Sequence, residues 1–72
     1  MTTTTTITVL VNGERRALPA PLHLAALVAE FSRSSTGVAA ALNESVVPRS
    51  RWSATALSEG DRVEILTAVQ GG

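Results

Sequence analysis

The pair Asn12-Gly13 stands between two β-rich runs, and no other feature narrows the fold as much. A two-residue hairpin turn of type I′ needs positive φ at both central positions, and Asn-Gly supplies it with little strain. Ahead of the pair, residues 7–11 read Ile-Thr-Val-Leu-Val, with Ile7, Val9 and Val11 on one face at period two. Residues 14–18 are the returning strand. The chain therefore opens with a β-hairpin that has one apolar face, and its 72 residues, enough for one domain, must cover that face.

The cover is legible. Leu24, Leu27, Val28 and Phe31 fall at i, i+3, i+4 and i+7, one stripe of a helix, and Ala25, Ala26 and Ala29 raise helix propensity. The spacing predicts a helix over residues 22–32. Pro19-Ala20-Pro21 should end the second strand, with Pro21 in the first helical turn, where its missing N–H costs little. The helix should stop in the loop at residues 34–37, with Gly37 as its cap. Residues 38–42 read as a third strand, Asn43-Glu44 as a turn, and residues 45–47 as a brief fourth strand closed by Pro48, which suits a sheet edge. Residues 49–57 look irregular or partly helical, anchored by Trp52 and Leu57. A turn at residues 58–61 leads to a last strand over residues 62–69, with Val63, Ile65 and Val69 on one face.

A mixed sheet of four to five strands with one helix on a single face is the economical solution. If the last strand lies beside the first, both apolar faces cover the helix stripe. That arrangement is the α+β, ubiquitin-like β-grasp fold. Residues 1–6, a threonine run after Met1, are expected to be a flexible extension, its last residues free to extend the first strand. Residues 7–69 form the domain, and residues 70–72 form a flexible tail.

Composition closes off several functions. There is no Cys, so neither disulfides nor thiolate metal sites are available. Six Arg balance six Asp plus Glu, so no basic patch for nucleic acid is implied. No apolar stretch approaches the ~18 residues needed to span a bilayer, and the start lacks the basic and apolar regions of a signal peptide. Cytosol is the expected location. There is no nucleophile–base pair, phosphate loop or metal spacing, so no catalytic or metal-binding residue is assigned, no cofactor is expected to be bound, and the chain does not read as an enzyme.

The chemistry is at the end. The last strand runs directly into Gly71-Gly72, and the four residues from Val69 to Gly72 extend about 13 Å. A carboxylate becomes an acyl donor once adenylated, and an enzyme doing that must grip the tail in a narrow passage beside ATP. Glycine has no Cβ, so backbone approaches closely and adopts whatever φ is needed. Gly72 is then the reacting carboxylate and Gly71 supplies clearance.

These segments resemble the sulfur carrier of thiamine biosynthesis, the ThiS family. The matching pieces are Val11-Asn12-Gly13; Ala41-Leu42-Asn43; Val46-Val47-Pro48-Arg49 with Trp52; Leu57-Ser58-Glu59-Gly60-Asp61 with Val63-Glu64-Ile65; and Ala68-Val69-Gln70-Gly71-Gly72. The resemblance implies a cycle. A ubiquitin-activating-like adenylyltransferase of ThiF type uses ATP to adenylate Gly72. Sulfur from a cysteine desulfurase route displaces AMP and leaves a thiocarboxylate. A thiazole synthase of ThiG type then takes that sulfur for the thiazole ring. Related readings are the small subunit of molybdopterin synthase, whose family usually has prolines before Ser-Gly-Gly, a ubiquitin-like protein modifier, and an interaction module without terminal chemistry.

Leu10 and Leu66 are the out-of-phase apolar residues of the first and last strands. If those strands are neighbours, the two side chains should meet on the face away from the helix and, with Val69 and Gln70, form a partner-docking surface. His23 is expected to be solvated or capping, Trp52 a core plug, and Arg49 and Arg51 a solvated face. Glu59 and Asp61, flanking a turn, do not make a catalytic acid pair.

Overall fold

A computed structural model of the chain describes residues 5–31 and 37–67. Strands β1 (Thr5–Val11) and β2 (Glu14–Ala20) form the opening hairpin, and helix α1 (Leu24–Phe31) follows. Strands β3 (Val38–Leu42) and β4 (Ser45–Val47) form a second hairpin. A 3₁₀ segment, Arg49–Ala54, leads on towards β5 (Arg62–Thr67). The strands make one five-stranded sheet in the order β2-β1-β5-β3-β4. All neighbours pair antiparallel except β1 and β5, which are parallel. The last strand does lie beside the first, and the architecture is the expected β-grasp.

Alternation decides which face is buried. Ile7, Val9 and Val11 on β1, Ala40 on β3, and Val63 and Ile65 on β5 form the core with Leu24, Leu27 and Val28 of α1. Leu24 and Leu27 are fully buried. A helix of eight residues is marginal alone, so α1 owes its stability to this packing. Trp52, at 5% exposure, plugs the core below the 3₁₀ segment and donates its indole N–H to the Val47 carbonyl at 2.8 Å. Leu57 is buried beside it, as expected of an anchor.

Three sequence readings are corrected. Pro19 does not end β2 but lies within it, paired with Thr6. Because β2 is an edge strand, the missing N–H breaks no ladder. Pro21 precedes the helix, which begins at Leu24. There the chain pairs briefly with residues 55–57: Leu24 N–H bonds the Thr55 carbonyl at 2.8 Å, and Leu57 N–H bonds the Leu22 carbonyl at 2.9 Å. Phe31, at the end of the stripe, is 37% exposed; it lies at the margin of the core, with the Arg16 guanidinium 5.5 Å from its ring centroid. The expected helix stop at residues 34–36 falls outside the described residues. Strand β1 begins at Thr5, so the end of the threonine run extends it.

The two hairpin turns share one backbone shape. Both loops are two residues long, between Val11 and Glu14 and between Leu42 and Ser45. Both carry positive φ at each central residue: 53° and 83° at Asn12-Gly13, 50° and 73° at Asn43-Glu44. Gly13 suits that conformation. Glu44 does not, and a side chain there costs about 1–2 kcal/mol. Its ion pair with Arg62, at 3.2 Å, joins side chains that are 76% and 56% exposed. Such a pair is worth about 0–1 kcal/mol, less than the strain.

Candidate functional site

Strand β5 is the middle strand of the sheet, held by β1 on one side and β3 on the other. Its last residue, Thr67, still pairs with Val38. The expected reacting residue Gly72 and its neighbour Gly71, with Val69 and Gln70, lie outside the described residues.

Side chains from both hairpin turns lock β5 in register. The Asn12 amide grips Ile65 at both backbone groups: Nδ2 donates to the Ile65 carbonyl at 3.2 Å, and Oδ1 accepts the Ile65 N–H at 2.8 Å. The amide stands where a further β1 residue would have paired, prolonging the parallel ladder past the turn. Asn43 Oδ1 accepts the Arg62 N–H at 2.9 Å, and Asn43 Nδ2 donates to Asp61 Oδ1 at 3.1 Å. A third brace comes from the turn before β5. Glu59 Oε1 accepts the Thr8 N–H at 2.9 Å, and Gly60 N–H donates to the Thr8 carbonyl at 2.7 Å. Asp61 Oδ2 accepts the Ser58 N–H at 2.8 Å. Glu59 thus holds backbone, and Asp61 holds backbone through Oδ2 and the Asn43 amide through Oδ1, consistent with their exclusion as an acid pair. Sequence reading missed these roles; the signal available was an Asn opening both tight turns.

Leu10 and Leu66 share the sheet face opposite α1 but do not meet. The parallel register sets Leu10 against Arg62, which leaves Leu66 four residues further along β5, about 13 Å away. Leu66 lies instead against Ala39 of β3 and is 69% exposed; Leu10 is half-buried. With Ala39, Ala41 and Val46, Leu66 lines an apolar groove of about 270 Å³, whose charged lining residues are Glu44 and Glu64. Val46 is 77% exposed. Small residues at alternate, outward positions of β3, next to an outward valine, were the overlooked signal.

The remaining candidates take ordinary places. His23 is exposed and bridges to Ala56, its carbonyl accepting the Ala26 N–H at 3.0 Å as the helix starts. Arg49 and Arg51 are exposed on the 3₁₀ segment. Among the described residues no three His, Cys, Asp or Glu side chains are grouped to hold a metal ion, and no helix is long and apolar enough to cross a membrane.

The model of the ThiS family matches residues 9–72, nearly the whole chain. The chain belongs to the ThiS family. Its fold is similar to the crystal structure of the thiamine biosynthesis protein ThiS from Geobacter metallireducens, with a TM-score of 0.73 and 28% identity, covering 92% of this chain and all of that one. A thiazole synthase of Paramagnetospirillum magneticum is 35% identical over 63 residues, which are 88% of this chain; the chain spans only 19% of that relative's length. A Pyropia yezoensis protein called ycf40, described as uncharacterized, is 32% identical over 66 residues and 93% of its own length. The family match runs past the middle strand β5 in sequence and ends at Gly72.

Proposed function

We propose that this ThiS-family chain is a sulfur carrier, not an enzyme, and that it gives up sulfur from a thiocarboxylate at Gly72 for thiazole formation in thiamine biosynthesis. The observation that carries the reading is a family match that continues through the Gly-Gly end, on a chain whose middle strand leads to that end. The ThiF-type adenylyltransferase forms the acyl-adenylate with ATP, releasing pyrophosphate. A sulfur donor fed by a cysteine desulfurase displaces AMP, and a C–S bond replaces the C–O bond to the nucleotide. The sheet supplies rigidity: Asn12 and Asn43 keep β5 from slipping, so the tail starts from a fixed point. A rigid base lowers the entropy lost when the tail enters an enzyme's passage. The ThiG-type thiazole synthase is the acceptor. In the relative named thiazole synthase, a stretch similar to this chain belongs to one longer polypeptide, and sharing a chain raises the effective concentration of one part at the other. The protein is assigned to the cytosol, where its partners act on it.

The test is incubation with ATP, the adenylyltransferase and a sulfur source, then a thiol-selective alkylating reagent and intact mass. With no Cys in the chain, a single adduct mapping to Gly72 identifies a thiocarboxylate. No adduct, with an adenylyltransferase that is competent on another carrier, removes the sulfur-carrier reading.

A further inference from the structure

Asn12 holds β5 with a side chain that its own neighbour can destroy. Its amide grips both backbone groups of Ile65, and its peptide bond runs to Gly13. The backbone nitrogen after an Asn can attack the Asn Cγ, and a side chain on that next residue hinders the approach. Glycine has none. Gly13 is exposed, and a Cβ there would meet nothing within 4 Å, so solvent base and water reach it. The chain's other Asn, Asn43, precedes Glu44, whose side chain crowds the same attack.

The folded turn holds this chemistry back. A five-membered ring closing on the Gly13 nitrogen includes the Cα–C bond of Asn12 and needs Cβ and that nitrogen eclipsed about it. A type I′ turn, marked here by φ of 53° and 83°, keeps that torsion elsewhere. The amide must also leave Ile65, whose N–H and carbonyl it holds at 2.8 and 3.2 Å. Ring closure therefore waits for the turn to open locally.

We propose that Asn12-Gly13 is a site of spontaneous deamidation restrained by the Ile65 clamp, and that the reaction, once complete, removes the clamp irreversibly. The Gly13 nitrogen loses its proton to base and bonds to Asn12 Cγ. The Cγ–Nδ2 bond breaks, and the nitrogen takes up a proton and departs as ammonia. Water then adds to one carbonyl of the succinimide, and the ring opens to Asp or to isoaspartate. No oxidant or reductant is needed. In the Asp product a carboxylate oxygen stands where Nδ2 was, so the Ile65 carbonyl loses its donor and faces a like-signed oxygen. The isoaspartyl product adds a methylene to the main chain of a two-residue turn. Either product gives a chain of zero formal charge one negative charge more. The clamp and its loss are thus coupled: a turn that stays closed keeps its amide, and a turn that opens often loses it.

The test incubates the full chain in warm, mildly alkaline buffer, with and without a denaturing concentration of urea. Conversion is read by peptide mapping and by methyl transfer from an isoaspartyl methyltransferase. In urea, Asn12 should convert at least about tenfold faster than Asn43, and Gly13→Ala should slow it by about tenfold where folding plays no part. Without urea, conversion of Asn12 should fall by a further factor of about ten or more, since it follows the population of the open turn. Asn12→Asp, which installs one product directly, should lower Tm by about 8 °C or more. Equal rates with and without urea overturn the proposal, because the clamp then restrains nothing. So does Asn43 keeping pace with Asn12 in urea, or an Asn12→Asp chain that melts with the wild type. None of these results bears on alkylation at Gly72.

Discussion

The Asn12-Gly13 and Asn43-Glu44 turns have the same length, the same sign of φ at both positions, and an Asn that reaches across to β5. They differ in their second residue and in what surrounds them. The Asn12 amide is part-buried and satisfies both backbone groups of Ile65; the Asn43 bonds are exposed. A Cβ at Gly13 would meet nothing within 4 Å, so that turn demands glycine for conformation alone. The second turn carries a side chain in spite of the same demand. The comparison teaches that a two-residue turn can hold a side chain where its backbone conformation favours glycine, at a cost in local stability.

The largest expected effect is at Asn12. Asn12→Ala leaves the N–H and carbonyl of Ile65 without their partner amide in a part-buried setting, and should destabilise the domain by about 2 kcal/mol in denaturant titration. A loss below about 0.5 kcal/mol would mean that water replaces the amide and that the Asn12 brace is incidental. Next is the pair of exchanges Gly13→Glu and Glu44→Gly. Gly13→Glu should cost about 1–2 kcal/mol, close to what Glu44→Gly should restore, because only the backbone conformation opposes it. Unequal magnitudes for the two changes would show that Glu44 has stabilising contacts that offset its strain.

Asn43→Ala should cost about 1 kcal/mol, less than Asn12→Ala, since solvent can reach the groups it leaves behind. Equal costs would erase the distinction between the two braces. The smallest effect is Arg62→Ala, expected to change stability by under about 0.5 kcal/mol and to do so less at high salt, because its pair with Glu44 is exposed. A larger loss would return Glu44 to a structural role.

The element types were legible because each had a local signature. Alternation marked β1 and β5, the i, i+3, i+4 stripe marked α1, and Asn-Gly marked the first turn. The β-grasp followed from one further condition, that the last strand lie beside the first, and the structure meets it. Readings failed where neighbours mattered. Pro19 looked like a strand end, but at a sheet edge its missing N–H faces no partner. Phe31 continued the helical stripe in sequence, yet its ring stays at the core margin.

For the candidate site the division is the same. The sequence by itself determined the Gly-Gly end, the strand that feeds it, and the resemblance to ThiS, because these depend on residue identity and order alone. It also marked Leu10 and Leu66 as outward-facing, since that follows from period two. Only the tertiary structure decided that they are about 13 Å apart, that Leu66 joins Ala39, Ala41 and Val46 in one groove, and that Asn12 clamps Ile65. The reason is register. Alternation tells which face a side chain takes, but pairing between strands distant in sequence tells where along that face it lies, and that pairing is settled by the packing of the whole core.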